Sequence, residues 1–122
     1  MTLQLEFPNG IPAFESQTRF RLTEREPLLF LESETHPGLS FLLLPVALID
    51  PDYRLAISAE DREAIGASDQ SRLMCLAVIT AAEDSPPTAN LLAPVVINLD
   101  NSRAVQAVRS DAVYSHKKAI CS

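Results

Sequence analysis

Tryptophan is absent from this 122-residue chain, glycine occurs three times and cysteine twice. Three glycines are too few to build a phosphate cradle, and no G-x-G-x-x-G, P-loop or nucleophile-elbow spacing occurs, so the phosphate-binding enzyme classes fall away. Metal chemistry is equally poorly provided for. His36 stands beside Pro37-Gly38 in a turn signal and His116 sits in the segment SHKK, with no CxxC, HxH or HExxH spacing to gather the three or four ligands that zinc requires. Cys75 lies inside the apolar run LMCLAVI and Cys121 lies one residue from the end, which predicts a buried thiol and a tail thiol with no structural disulfide.

Long hydrophobic runs are also missing. No apolar stretch approaches the roughly 20 residues that span a bilayer. The start, MTLQLEFPNG, has neither a basic n-region nor a continuous apolar h-region, so the expectation is a soluble, cytoplasmic protein without an export signal. Positive charge is scarce: 10 basic residues against 16 acidic ones give a formal charge of −6. That balance repels phosphate backbones and opposes direct nucleic-acid binding, leaving basic or polar proteins as the favoured partners. Arg109, His116, Lys117 and Lys118 form the one basic concentration, read as a solvated tail.

What the chain does have is proline, nine in all, punctuating short apolar or β-branched segments. This texture predicts an all-β (mainly β) fold, one domain over residues 1–122, of about eight short strands and one short helix. Closure into a small β-barrel-like structure would satisfy the strand edges. Leu3 to Phe7 alternates apolar and polar, directing Leu3, Leu5 and Phe7 to the core before the Asn9-Gly10 turn. Further strands are expected at Phe20–Leu22, Leu28–Leu31, Leu39–Val46, Tyr53–Ile57, Arg72–Ala81, Val95–Leu99 and Arg103–Val108. Polar turns are expected at Glu83–Pro87 and Asp100–Ser102. The helix is placed at Ala59–Ile65, with Ser58 as N-cap, Asp61 at the capping-box position and Gly66 as the stop. The acids Glu60, Asp61 and Glu63 are explained by the helix dipole more simply than by acid–base work.

The most informative segment is Thr88 to Asp100, TANLLAPVVINLD, uncharged until its last residue. Pro94 cannot donate a ladder hydrogen bond, so it belongs at a strand start, an edge or a bulge and divides the run. Asn90 and Asn98 are expected to bond backbone at a bend or turn, since an unpaired amide in an apolar strand is costly. The runs at residues 28–31 and 41–46 are mainly core, and any surplus would form a partner-binding patch.

Several of these segments, in order, resemble the flagellar assembly factor FliW family. Phe7-Pro8-Asn9-Gly10-Ile11-Pro12-Ala13-Phe14-Glu15 is similar to the family's F-x-x-G-I-P-G-F-E stretch. Phe41–Pro45, Asp50–Tyr53, Leu76–Thr80 and the Thr88–Asn98 signature follow in the family's order. Ala13 stands where the family usually has glycine, which argues against a positive φ at that position. The resemblance implies a non-enzymatic β-barrel-like protein without cofactor or metal, monomeric when free. It also implies binding to the carbon storage regulator CsrA, an RNA-binding translational repressor, and to flagellin, which competes for it. For partner contact the expectation falls on Gly10, Ile11, Pro12 and Phe14 in the N-terminal loop, and on Asn90, Leu91, Leu92 and Pro94 in the signature, as exposed interruptions of a rigid barrel. Structural turns are the competing reading of both segments. An enzyme or small-molecule binder would instead show a buried pocket lined by Asn90, Asn98 and a carboxylate.

Overall fold

A computed structural model describes residues 2–111 and 113–120, with backbone only for residue 82. The strands are β1 (Thr2–Glu6), β2 (Arg19–Arg25), β3 (Leu28–Ser33), β4 (Ser40–Pro45), β5 (Leu73–Ala82), β6 (Ser85–Asn98), β7 (Arg103–Gln106) and β8 (Lys118–Ala119). Two short helices, α1 (Val46–Ile49) and α2 (Ala59–Ala64), lie between β4 and β5. Strands β1 to β7 form an antiparallel meander that closes on itself, and β8 adds to the outside of β6. Because seven alternating strands are an odd number, the closing pair must be parallel. It consists of Glu6 against Arg103.

The alternation of each strand fills the barrel. Leu5, Phe20, Leu22, Leu29, Leu31, Leu43, Leu76, Val95 and Ile97 are buried inside it. Phe7 and Phe20 meet edge to face at 5.0 Å, a geometry that aromatic quadrupoles favour. Cys75, Ala77 and Ile79 alternate with Met74, Leu76 and Val78 on β5 and face outward, where two further clusters cover them. One gathers Val46, Ile49, Tyr53, Leu91, Tyr114 and Ile120, and the other is built around Ile65 at the end of α2. By contrast, the outward row Gln4, Arg21, Glu32 and Ser40 across β1–β4 is exposed.

Helix α2 forms where expected: the Ser58 Oγ accepts from the Asp61 N–H at 3.0 Å, and Gly66 takes φ +62. Five expectations need correction. Tyr53–Ile57 forms no strand, because Tyr53 turns its ring into the outer cluster. Val46 opens a second helix instead of ending β4. The strand expected at Val95–Leu99 is the end of a 14-residue strand that begins at Ser85, and the Glu83–Pro87 turn shrinks to two residues. Prolines 86, 87 and 94 are accommodated because the β5–β6 register shifts between Thr80 and Ala82 and between Leu76 and Val78. The basic tail is not free either. Its backbone docks as β8, with Tyr114 and Ile120 packed into the outer cluster while His116, Lys117 and Lys118 stay exposed. Cys75 is half-buried, and Cys121 lies outside the described residues.

Candidate functional site

Between the pairs Leu76–Val95 and Val78–Asn90, four residues of β6 stand opposite Ala77 alone. So large a bulge frees backbone groups from the ladder, and each freed group has a partner. The Asn90 Oδ1 accepts from the Leu92 and Ala93 N–H groups, both at 3.0 Å. The Leu91 N–H donates to the Ser115 carbonyl, while the Leu91 carbonyl accepts from the Tyr53 hydroxyl at 2.8 Å. Arg109 N–H reaches the Leu92 carbonyl, Gln106 Nε2 the Ala93 carbonyl, and Ala107 N–H the Pro94 carbonyl. Leaving any of these buried groups unpaired would cost about 1–3 kcal/mol. Leu91, Ala93 and Pro94 are buried, and Asn90 and Leu92 are half-buried. The segment therefore does not face outward as expected; only Asn90 and Leu92 of the candidate residues there reach the surface.

Arg109, expected in a solvated tail, has a side chain only 5% exposed. Its guanidinium lies 4.7 Å from the Tyr114 ring centre and 5.4 Å from that of Tyr53, within cation–π range. Nε and Nη2 donate to the two carboxylate oxygens of Asp111 at 2.9 and 3.0 Å, and Nη1 donates to the Arg54 carbonyl. The Arg109 bonds hold the Asp111 carboxyl below the usual carboxylate range. Burial pushes the Tyr53 hydroxyl up despite the opposing effect of Arg109, and burial raises the neighbouring Cys75 thiol to about 11. A protonated, half-buried thiol is a poor nucleophile.

In the N-terminal loop, the Phe14 N–H donates to the Ile11 carbonyl at 2.7 Å. Pro12 and Ala13 are thus the central residues of a β-turn, and Ala13 has φ +75. This is a type II turn, whose third residue suits glycine. The positive φ survives at Ala13, contrary to expectation, because the Ile11–Phe14 backbone pairing closes the turn and buried Gly10 and Ile11 anchor its N-terminal side. Gly10 has φ +67, and a Cβ there would lie 2.4 Å from the Glu15 carbonyl oxygen. Ile11 enters the barrel core. Pro12 and Phe14 stay exposed, the Phe14 ring resting edge-on against Phe41 with centres 6.5 Å apart. The two candidate segments are not packed together, since Ile11 belongs to the interior cluster and Leu91 to an outer one.

Asn98 is 1% exposed; its Nδ2 donates to the Ile65 carbonyl at 2.9 Å and its Oδ1 accepts from the Asp100 N–H at 3.0 Å. It ties the β6–β7 turn to the end of α2, assisted by Asn101, whose Nδ2 donates to the same Ile65 carbonyl. Both signature asparagines act on backbone, as the apolar context required. Among the described residues, five surface depressions have volumes of about 130 to 450 Å³, and neither asparagine lines any of these five. Among the described residues no three His, Cys, Asp or Glu side chains are grouped to hold a metal ion. Leu48 (62% exposed), Val108 (57%) and Val113 (72%) are large apolar groups left on the surface, and none was anticipated as a contact residue. Leu48 could have been found, because it follows the strand-ending Pro45 within an apolar run.

The family model described as FliW protein matches residues 2–120. The flagellar assembly factor FliW of Pseudothermotoga lettingae is 34% identical over 125 residues, covering 95% of this chain and 77% of the relative. That of Syntrophomonas wolfei is 30% identical over 118 residues, covering 93% and 76%. A crystal structure of the flagellar assembly factor FliW superposes with a TM-score of 0.87 at 27% identity, covering 98% of this chain and 86% of that one. Barrel, signature and matched span agree, and the chain belongs to the FliW family.

Proposed function

We propose that this protein is a non-enzymatic, cytoplasmic flagellar assembly factor that works by binding other proteins. It binds the RNA-binding repressor CsrA away from the RNA-contacting surface, relieving repression of flagellin synthesis, and flagellin competes for it. The observation that carries this reading is the use of polar groups in the signature. Asn90 and Asn98 are engaged with backbone, while large apolar side chains remain on the barrel's surface. Such a surface suits macromolecular contact better than chemistry. The formal charge of −6 complements a basic RNA-binding protein and would speed association at low salt. Action at a distance on RNA binding is then a coupling between two sites of the repressor.

Calorimetric titration with CsrA from the same organism, repeated after saturation with flagellin, tests the reading. Heat with CsrA alone and its loss after flagellin is the expected result. A folded sample that gives no heat with either partner would overturn it.

A further inference from the structure

We propose that the α1 end of the barrel is a docking surface for a basic, apolar-anchored segment of a partner protein, an inference that rests on the protein-binding reading above. Two depressions flank α1 and share Pro45. One, of about 450 Å³, is lined by Glu24, Glu26, Pro27, Pro45 and Leu48. The other, of about 310 Å³, is lined by Val46, Asp50, Pro51, Tyr53, Met74 and Cys75 among others. Leu48, 62% exposed, lines the first of them, so an apolar partner side chain seated there also covers Leu48. Contact there would remove from water an aliphatic group that the fold leaves uncovered.

Charge selects the occupant. None of Glu24, Glu26 or Asp50 belongs to the ion pairs formed among the described residues. Only Asp50 has a local duty, accepting from the Asp52 N–H at 3.0 Å. Arg25, the nearest base in sequence, lines a different depression with Thr23 and Phe30 on the outer sheet face. The rim is therefore acidic around an apolar centre, and lysine or arginine flanking an aliphatic or aromatic side chain is the complementary chemistry. Rims of this kind set association rate and partner choice, while the apolar centre holds the complex. The strands beneath are paired on both edges within the closed barrel, so recognition is by side chains and not by strand addition.

The test uses the whole protein and CsrA as the probe. Leu48→Ser, at an exposed position, should weaken CsrA binding about tenfold or more, the loss expected of a central anchor. Glu24→Gln with Glu26→Gln should slow association and flatten its dependence on salt. Hydrogen exchange of the complex should show protection at residues 45–51. Wild-type binding with unchanged affinity in both variants, or with protection confined to other surfaces, overturns this assignment and leaves the regulator reading standing. Absence of wild-type binding overturns both.

Discussion

The two family segments leave regular β geometry by different means. The Gly10–Phe14 loop is shaped by backbone dihedrals: positive φ at Gly10 and Ala13, a proline between them, and a crossing over Glu15 too close for any Cβ. The Asn90–Pro94 bulge is shaped by side chains, with Asn90, Tyr53, Gln106 and the Arg109 region supplying the bonds that the ladder no longer makes. A loop held by dihedrals is local and tolerates no added atom. A bulge held by borrowed hydrogen bonds depends on residues up to 38 positions away.

Gly10→Ala should break the first segment. Its Cβ would meet the Glu15 backbone at 2.4 to 2.6 Å in an unfavourable φ, and a loss of about 3 kcal/mol or more is expected in chemical denaturation. Asn90→Ala should break the second by orphaning two N–H groups, at about 2–3 kcal/mol. Asn90→Asp keeps the accepting oxygen and should lose less than half as much, which separates the bond from the packing.

Arg109→Lys retains charge but not the two-pronged bond to Asp111, and about 1–2 kcal/mol should go with it. Amide exchange at residues 113–120 should rise while that of the interior strands does not. The Asp111 carboxyl is depressed in the folded state, so its contribution is present above the unfolded carboxylate pKa. It is lost as pH falls through the lower folded value, and the acid limb of the stability profile should flatten in the variant. The smallest effect is a gain: Ala13→Gly relieves the positive φ and should stabilise the fold by about 0.5–1 kcal/mol, raising the denaturation midpoint.

The comparison also explains what was legible in the sequence. Alternation in LQLEF and the turn residues Pro37-Gly38 and Asp100–Ser102 are local signals, and the strands they imply are present. The Ser58 cap and Gly66 stop place α2 to within one residue. Pro94 signalled a strand start, an edge or a bulge, and the fold selects the bulge; that the strand continues through it was not legible, because continuation depends on a Leu92 carbonyl bonded by Arg109. Arg109 read as tail because its aromatic partners, Tyr53 and Tyr114, are joined to it only by the fold. Tyr53 read as strand for the same reason. Exposure of Leu91 and Pro94 was inferred from their place beside a strand break, yet Leu91 packs with Tyr114 and Ile120 of the docked segment in the outer cluster, and the Pro94 carbonyl is taken by the Ala107 N–H.

The barrel closes through a single parallel rung, Glu6 against Arg103, reinforced by the Glu6 N–H to the Ser102 carbonyl and a 3.8 Å ion pair of half-exposed side chains. Every other neighbouring pair in the barrel joins strands consecutive in the chain, so most of the meander can assemble by short-range encounters. The rung alone must bring together residues nearly the full chain length apart, and it offers few contacts to offset that search. Closure is thus expected to come late in folding: substitutions at Glu6 or Arg103 should speed unfolding and leave the folding rate almost unchanged, as stopped-flow folding and unfolding rates would show.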